Sequence, residues 1–121
     1  MRIIIAPDSF KGSMTSQQVC EAIERGIKRA EVWASDPLFR KIKAEYALLG
    51  DDNTAVMEMA AASGLALLTE NERNPMKTTT LGTGEMIKDA LDRGCRNFII
   101  GIGGSATNDG GIGMAAALGV K

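Results

Sequence analysis

The alternation of apolar and polar positions divides the chain into short strands and amphipathic helices. Three consecutive isoleucines in Arg2–Ala6, followed by a proline, predict a short buried strand. A capping box that begins at Thr15 predicts a helix, and its apolar stripe reaches Ile27 and Ala30. Strand, loop and capped helix in this order open a β-α unit, which we assign to residues 1–30.

The middle of the chain predicts a β-hairpin. Apolar and charged residues alternate through Ile42–Leu48, which is typical of a half-exposed strand. A turn signal at Gly50–Asn53 follows, and Thr54–Met59 can return as the second strand. The segment 31–37 breaks the preceding helical pattern, and we interpret it as a linker or junction ahead of the region 38–121.

The last third of the chain predicts a helix, a strand and a second helix. Thr83 can cap a helix through about Arg93, with Gly94 just past its end. Asn97–Ile102 predicts a fully apolar strand, and an alanine-rich helix begins near Gly110. Helices that alternate with buried strands indicate the α/β class.

The segment Gly101–Gly111 is the strongest chemical signal in the chain. A buried strand ends, three glycines follow within four residues, and a helix then begins. Exposed N–H groups and the positive end of a helix suit a phosphate or a carboxylate. Asp109 would repel such an anion, but it can hold a cation or accept a proton from a hydroxyl. A tight turn with a helix cap is the alternative.

The glycine spacing leaves more than one kind of nucleotide site open. Gly101-x-Gly103-x-x-Ala106 matches the looser dinucleotide fingerprint, which by itself is a weak signal. The Walker pattern is absent from the sequence, so a kinase with this chain would not be a P-loop kinase.

Two other loops carry polar groups next to predicted elements. Residues 6–13, at the end of the first strand, supply a carboxylate, a cation and two hydroxyls, from Asp8, Lys11, Ser9 and Ser13. Residues 77–85 combine threonines with glycines before a helix, which can form an anion nest. The alternatives are a solvated surface loop for the first segment and a helix cap within a flexible loop for the second.

Composition excludes several classes of function. The net charge is −1 without a basic stripe, and aromatic residues make up 4% of the chain, so a nucleic-acid partner is not expected. The absence of histidine rules out a Ser-His-Asp triad and histidine metal sites within this chain. No apolar run is long enough for a membrane span or a signal peptide, which favours the cytoplasm.

Several long strings together resemble one family. MRIIIAPDSFKGSMT, AVMEMAAASGL, NPMKTTTLGTGEMI and IIGIGGSATNDGG are similar to the bacterial glycerate kinases that phosphorylate D-glycerate with ATP. The resemblance implies a partial Rossmann-like or flavodoxin-like α/β unit, with the hairpin portion coming from a second α/β domain. It also implies ATP and Mg²⁺, glycerate as the substrate, 2-phosphoglycerate as the product, and the cytoplasm as the compartment.

The resemblance assigns roles to residues in all three loops. The expected catalytic residues are Asp8, Lys11 and Asp109, the last as the base or the Mg²⁺ holder. The residues expected to bind substrate or phosphate are Ser9, Ser13, Thr79, Thr80, Thr83, Gly103, Gly104, Ser105, Asn108 and Gly110. The threonine-rich loop is expected to close on the substrate.

The chain departs from the family pattern in two ways. Family members are much longer, so we expect the C-terminal part of the family to be missing. An acidic ADGGEGT-like loop is also missing after the first helix, which predicts an internal deletion near Ala30–Val32. Three interpretations stay open: a partial kinase, a nucleotide- or dinucleotide-binding module without kinase activity, and an inactive fragment.

Unpaired strands are a further expectation from such a deletion. Ile3–Ile5 and Phe98–Ile100 have the apolar character of central strands, which need neighbours on both sides. Exposed strand edges favour association between chains, so the sequence predicts self-association.

Overall fold

A computed structural model describes residues 26–50 and 52–120, which form a mixed α/β fold around one four-stranded sheet. The strands are β1 Ile27–Ser35, β2 Lys41–Leu49, β3 Thr54–Glu58 and β4 Asn97–Gly101, and the helices are α1 Ala60–Ser63, α2 Leu81–Asp92 and α3 Ile112–Ala117. The α/β class is therefore confirmed. No helix within these two ranges is long and apolar enough to cross a membrane. The predicted strand Arg2–Ala6 and the helix start at Thr15 lie outside the described residues.

The first hairpin of the sheet replaces the end of a predicted helix. β1 pairs antiparallel with β2 from Ile27 opposite Leu49 to Ser35 opposite Lys41. The prediction of a helix through Ile27 and Ala30 was therefore wrong, and β1 continues to Ser35 within the segment 31–37 that we interpreted as a linker or junction. Small apolar residues fit a helical stripe and a strand face equally well, and here pairing with β2 decides between the two.

The turn that closes this hairpin is organised by a buried carboxylate. Asp36 is 2% exposed and accepts hydrogen bonds from the backbone N–H groups of Leu38 at 2.8 Å and Arg40 at 2.9 Å. The Arg40 guanidinium also pairs with Asp36 and extends to Glu72, 2.9 Å away. Carboxylates in tight turns stabilise the backbone in this way, and the turn brings β2 back along β1.

The predicted hairpin between β2 and β3 is confirmed, and β3 also pairs with β4. Ala47 lies opposite Val56 in the antiparallel β2–β3 pair. The β3–β4 pair is parallel, with Glu58 opposite Gly101 at its end. Because carboxyl ends of parallel strands share one edge, the glycine-rich loop after β4 emerges beside α1, which follows β3.

The core lies between one face of the sheet and α2. Tyr46 of β2 is fully buried, and its hydroxyl donates a hydrogen bond to Asp89 of α2 at 2.6 Å. Burial, followed by this contact with the Asp89 carboxylate, raises the pKa of Tyr46 well above its usual range. Gly82 lets α2 approach β1 closely, since a Cβ there would lie 1.8 Å from the carbonyl oxygen of Ser35.

The start of α2 differs from its predicted position. The helix begins at Leu81 with Thr80 as the N-cap residue, so the predicted cap at Thr83 was wrong. Thr83 lies inside the helix, 3% exposed, and its hydroxyl is 2.8 Å from that of Ser63. The predicted C-terminus is confirmed, because Gly94 follows the helix with a φ of 102°.

Gly84 sets the distance between α2 and α3. A Cβ at this position would lie 2.5 Å from the carbonyl oxygen of Met114 and 2.7 Å from the Cβ of Ala117. We expect Gly84→Ala to lower the free energy of unfolding by about 1–3 kcal/mol, because the helices must move apart. Urea denaturation measures this loss. Lys88→Ala, on the exposed side of the same helix, is the control and should stay within about 0.5 kcal/mol of the unmodified chain. Equal stabilities for the two variants would contradict the packing argument.

Candidate functional site

The glycine-rich loop is fastened at several points to the elements beside it. Three backbone bonds hold it to α1 and the residues around α1: Met59 N to Gly101 O at 2.8 Å, Leu65 N to Gly104 O at 2.9 Å, and Ala106 N to Ser63 O at 2.8 Å. The hydroxyl of Thr78 donates to the carbonyl oxygen of Ala106 at 2.9 Å. The loop therefore has a defined backbone path, which a preformed binding site requires.

The loop is open to solvent at its second and third glycines. Gly103 and Gly104 are both exposed, and a Cβ placed on Gly103 would meet no atom within 4 Å. Gly104 has a φ of 70°, a conformation that favours glycine. Ser105 turns back toward the loop, with its hydroxyl 3.0 Å from that of Thr107. A ligand can therefore approach the main chain at Gly103 and Gly104, as expected for an anion-binding loop.

Asp109 joins the glycine-rich loop to the threonine-rich loop. Its Oδ1 accepts a hydrogen bond from Gly111 N at 3.0 Å, and its Oδ2 accepts from Thr80 N at 2.8 Å and Gly113 N at 3.2 Å. The hydroxyl of Thr80 lies 3.0 Å from Oδ1 and 2.9 Å from Oδ2, and Thr79 Oγ1 is 3.4 Å from Oδ2. The carboxylate thus occupies the start of α3, where the sequence predicts an external anion.

These donors determine the charge state of Asp109. Partial burial acts to raise the pKa of the carboxyl group, but the N–H and O–H of Thr80 and the N–H groups of Gly111 and Gly113 outweigh it. The pKa of Asp109 is therefore lower than its ordinary value. Asp109 is an anion at neutral pH, and a carboxylate stabilised in this way is a weak proton acceptor.

The three threonines of the second loop are buried beneath the first. Thr79, Thr80 and Thr83 are 8%, 5% and 3% exposed. Thr80 Oγ1 also accepts a hydrogen bond from Met114 N at 2.9 Å. A Cβ at Gly113 would lie 2.2 Å from Thr79 Oγ1, so only glycine permits this approach of α3. These contacts give the threonines a supporting role, while closure of the loop on a substrate stays a prediction.

An open pocket with a volume of about 370 Å³ lies beside the glycine-rich loop. Several residues proposed from the sequence line it together: Thr80, Thr83, Asn108, Asp109 and Gly110. Its apolar wall comes from Met59, Ile100, Ile102 and Met114. Gly103, Gly104 and Ser105 belong to the adjoining part of the same loop, whereas Asp8, Ser9, Lys11 and Ser13 lie outside the described residues.

Two supporting residues were not found from the sequence. The carbonyl oxygen of Ser63 accepts a hydrogen bond from the N–H of Ala106 in the loop, and the Ser63 hydroxyl is hydrogen-bonded to that of Thr83. The hydroxyl of Thr78 donates to the carbonyl oxygen of Ala106. Both are small polar residues within strings that resemble the family, but the sequence assigned a role to neither of them. Their burial, 0% and 5% exposed, is the property that distinguishes them, and only the tertiary structure shows it.

The described residues contain no cluster of side chains that could hold a metal ion by themselves. Residues 26–50 and 52–120 contain no group of three or more acidic, histidine or cysteine side chains that could hold a metal ion. Both oxygens of Asp109 already accept N–H and O–H groups. A cation at this carboxylate would have to displace those donors, so the predicted magnesium role does not fit the geometry of Asp109.

Comparison with known proteins agrees with the fold and the loop. The sequence model that describes the glycerate kinase family matches this chain in two segments, residues 3–35 and residues 28–121. The chain is 45% identical to a glycerate kinase from Haemophilus influenzae and 42% identical to a glycerate 2-kinase from Escherichia coli. Both alignments cover all of this chain and 40% of the relative. The chain therefore spans about 40% of the length of these curated relatives.

A solved structure leads to the same assignment. The crystal structure of a protein described as glycerate kinase 2 from Salmonella typhimurium LT2 superimposes with a TM-score of 0.76. It is 41% identical, and the match covers 93% of this chain and 39% of that one. The mixed sheet, its helices and the glycine-rich loop after a parallel strand place the protein in the α/β class. The chain belongs to the glycerate kinase family, as the sequence resemblance predicted.

The lowered pKa of Asp109 predicts a pH-dependent contribution to stability. The ionised carboxylate stabilises the fold fully above the unfolded-state pKa of about 3.8, and this contribution is lost as pH falls through the lower folded-state pKa. At pH 7 we expect Asp109→Asn to cost about 2–3 kcal/mol, because the variant loses hydrogen bonds to a charged acceptor.

The measurement is urea denaturation of both chains between pH 7 and pH 3. The difference in free energy of unfolding should be constant at neutral pH and should shrink below about pH 3.8. A difference that is negligible at pH 7, or one that grows toward low pH, would contradict the role of the ionised group.

Proposed function

We propose that this chain carries the phosphate-binding part of a phosphotransferase that moves the γ-phosphoryl group of ATP to a hydroxyl of D-glycerate, with 2-phosphoglycerate as the product and the cytoplasm as the compartment. One observation carries the proposal: the exposed main chain at Gly103 and Gly104, fixed beside a pocket at the end of a parallel strand. The names of the relatives, glycerate kinase and glycerate 2-kinase, support the substrate class.

The proposed reaction requires positioning more than covalent chemistry by the protein. The glycerate oxygen forms a bond to the γ-phosphorus while the bond from that phosphorus to the β–γ bridging oxygen breaks, and ADP leaves. The hydroxyl proton passes to a base, and we propose Asp8, the other carboxylate among the expected catalytic residues, in place of Asp109; Asp8 lies outside the described residues. We assign phosphate contact to the backbone of Gly103 and Gly104 and orientation to the side chains of Ser105 and Asn108.

Magnesium is proposed to accompany ATP rather than to be held by the described side chains. When bound to nucleotide, it would neutralise charge on the phosphates. The described residues contribute to the site without it, through a rigid loop and neutral donors. The phosphates of ATP would be the groups that contact the metal.

A nucleotide- or dinucleotide-binding module without kinase activity is the second candidate. The loose Gly101-x-Gly103-x-x-Ala106 pattern favours it, and so does the apolar wall of the pocket formed by Ile100 and Ile102. Calorimetric titration with ATP and magnesium against NAD separates the two: preferential binding of NAD would favour the module.

We also propose that the chain lacks an internal segment near Ala30–Val32. The alignment with the Haemophilus relative extends over 152 positions, 31 more than the 121 residues of this chain, and the two family-model matches share residues 28–35. Both observations support a segment of relatives without a counterpart here. Genomic DNA that continues across this junction as in the full-length relatives would contradict the deletion.

The isolated chain is expected to show little or no kinase activity. It spans about 40% of its relatives, and in-line transfer requires both substrates to be held in one geometry. A coupled assay of ADP release with glycerate and ATP measures this. Turnover at about 1–100 per second, the range of ordinary kinases, would show that the chain is a complete catalyst and would contradict this prediction.

Ligand contact with the loop backbone can be tested at Gly103. This glycine has open space around its Cβ position and no positive φ, so Gly103→Val should leave the fold and the melting temperature unchanged. We expect the valine side chain to block the main chain and to weaken ADP binding on the order of tenfold or more, measured by calorimetry.

Ala116→Val is the matched control, because it adds the same side chain at an exposed position of α3 outside the pocket. ADP affinity should be unchanged in this variant. Full ADP affinity in Gly103→Val would overturn the assignment of the loop as the phosphate contact.

A further inference from the structure

Several hydrogen-bond donors from two parts of the chain converge on Asp109. Three backbone N–H groups, from Thr80, Gly111 and Gly113, donate to its two oxygens. The hydroxyl of Thr80 donates to the same carboxylate and accepts a hydrogen bond from Met114 N. The network connects the residue before α2 with the first turn of α3.

This connection crosses a long stretch of sequence. Thr80 and Asp109 are 29 residues apart, and the strand β4 lies between them. Loop segments separated in this way keep a fixed distance only where specific contacts hold them. Here a carboxylate of lowered pKa and N–H donors on both sides supply those contacts, and charge-assisted hydrogen bonds are the stronger kind.

The segment held by this network lines the pocket. Thr107, Asn108 and Gly110 all contribute to the pocket wall, and they flank Asp109 directly. Gly110 and Gly111 have φ values of 63° and 78°, so this stretch follows a path that most residues avoid. A stretch with this backbone conformation requires tertiary contacts to keep its shape, and the bonds of Asp109 to Thr80 are such contacts.

We infer that Asp109 and Thr80 form a positioning pair, which holds Thr107–Gly110 against the pocket for a phosphate-bearing ligand, and that Asp109 is neither the metal holder nor the base. The inference rests on the proposed function, because it assumes that this pocket binds such a ligand. It replaces the catalytic role predicted for Asp109 from the family resemblance. It also gives Thr80 a defined role in place of general closure on the substrate.

The experiment compares four single variants and one double variant of the full chain, with ADP as the probe and no metal added. Asp109→Asn places an amide N–H₂ group among N–H donors, and Thr80→Val removes the hydroxyl while keeping the shape of the side chain. Each is expected to weaken ADP binding on the order of tenfold. Thr80→Ser keeps the hydroxyl and should retain the affinity of the unmodified chain.

Tyr46→Phe is the control for a loss of stability alone. It removes the hydrogen bond to Asp89 in the core, between residues that do not line the pocket, and should lower stability without changing ADP affinity. The double variant Asp109→Asn with Thr80→Val should bind ADP no more weakly than the weaker single variant, because both changes break one network.

A second measurement follows amide hydrogen exchange at Gly111 and Gly113 in the absence of ligand. Exchange should be faster in Asp109→Asn and in Thr80→Val than in Tyr46→Phe, although all three are destabilised. Unchanged ADP affinity in Thr80→Val, combined with a loss in Asp109→Asn that appears only when magnesium is added, would overturn the inference in favour of a metal role.

The two proposals fail in different ways. Absence of ADP binding to the unmodified chain would refute the proposed function. The exchange rates at Gly111 and Gly113 would then test the positioning pair without ADP. Unchanged rates in both Asp109→Asn and Thr80→Val would overturn it.

Discussion

The carboxylate of Asp109 is the contact on which the arrangement of the two loops depends. It accepts the N–H groups of Gly111 and Gly113 at the start of α3 and the N–H and O–H of Thr80 at the start of α2. A single, partly buried carboxylate therefore accepts hydrogen bonds from N–H groups at the starts of two helices. Such N–H groups have few partners within their own helices. The positive end of a short helix, which in the sequence suggests an external phosphate, is neutralised here by the protein's own side chain.

This arrangement moves the proposed ligand contact toward the beginning of the loop. The main chain of Gly103 and Gly104 is exposed, whereas the N–H groups of Gly111 and Gly113 donate hydrogen bonds to Asp109. The glycines of one motif thus serve two purposes. The first pair leaves the main chain accessible, and Gly113 permits the close approach of α3 to Thr79. Glycine at Gly82 and Gly84 serves the same packing purpose along α2, where neighbouring backbone atoms leave no room for a Cβ.

The sheet explains why these loops meet at all. The parallel pairing of β3 and β4 places the chain after both strands at one edge, so α1 and the glycine-rich loop become neighbours. The antiparallel hairpin of β1 and β2 completes the sheet and provides the surface on which α2 lies. Membership of the glycerate kinase family fits this architecture, and the chain spans about 40% of its curated relatives. The fold of this region and the activity of the full-length relatives are therefore separate questions.

The sequence by itself determined the α/β class, the strands β3 and β4, the end of α2 and the family, because periodicity, turn residues and long motifs are local properties. It did not determine β1, because Ile27 and Ala30 also continue the apolar stripe of the predicted helix, although Ala30, Val32 and Ala34 alternate as strand residues do and pair with β2. It also placed the cap of α2 at Thr83, because nothing local shows that Thr80 binds Asp109 across 29 residues. The glycine-rich loop follows β4 as the sequence predicted, but the partner of its acidic residue was decided by tertiary contacts, which bring together donors that are distant in the chain.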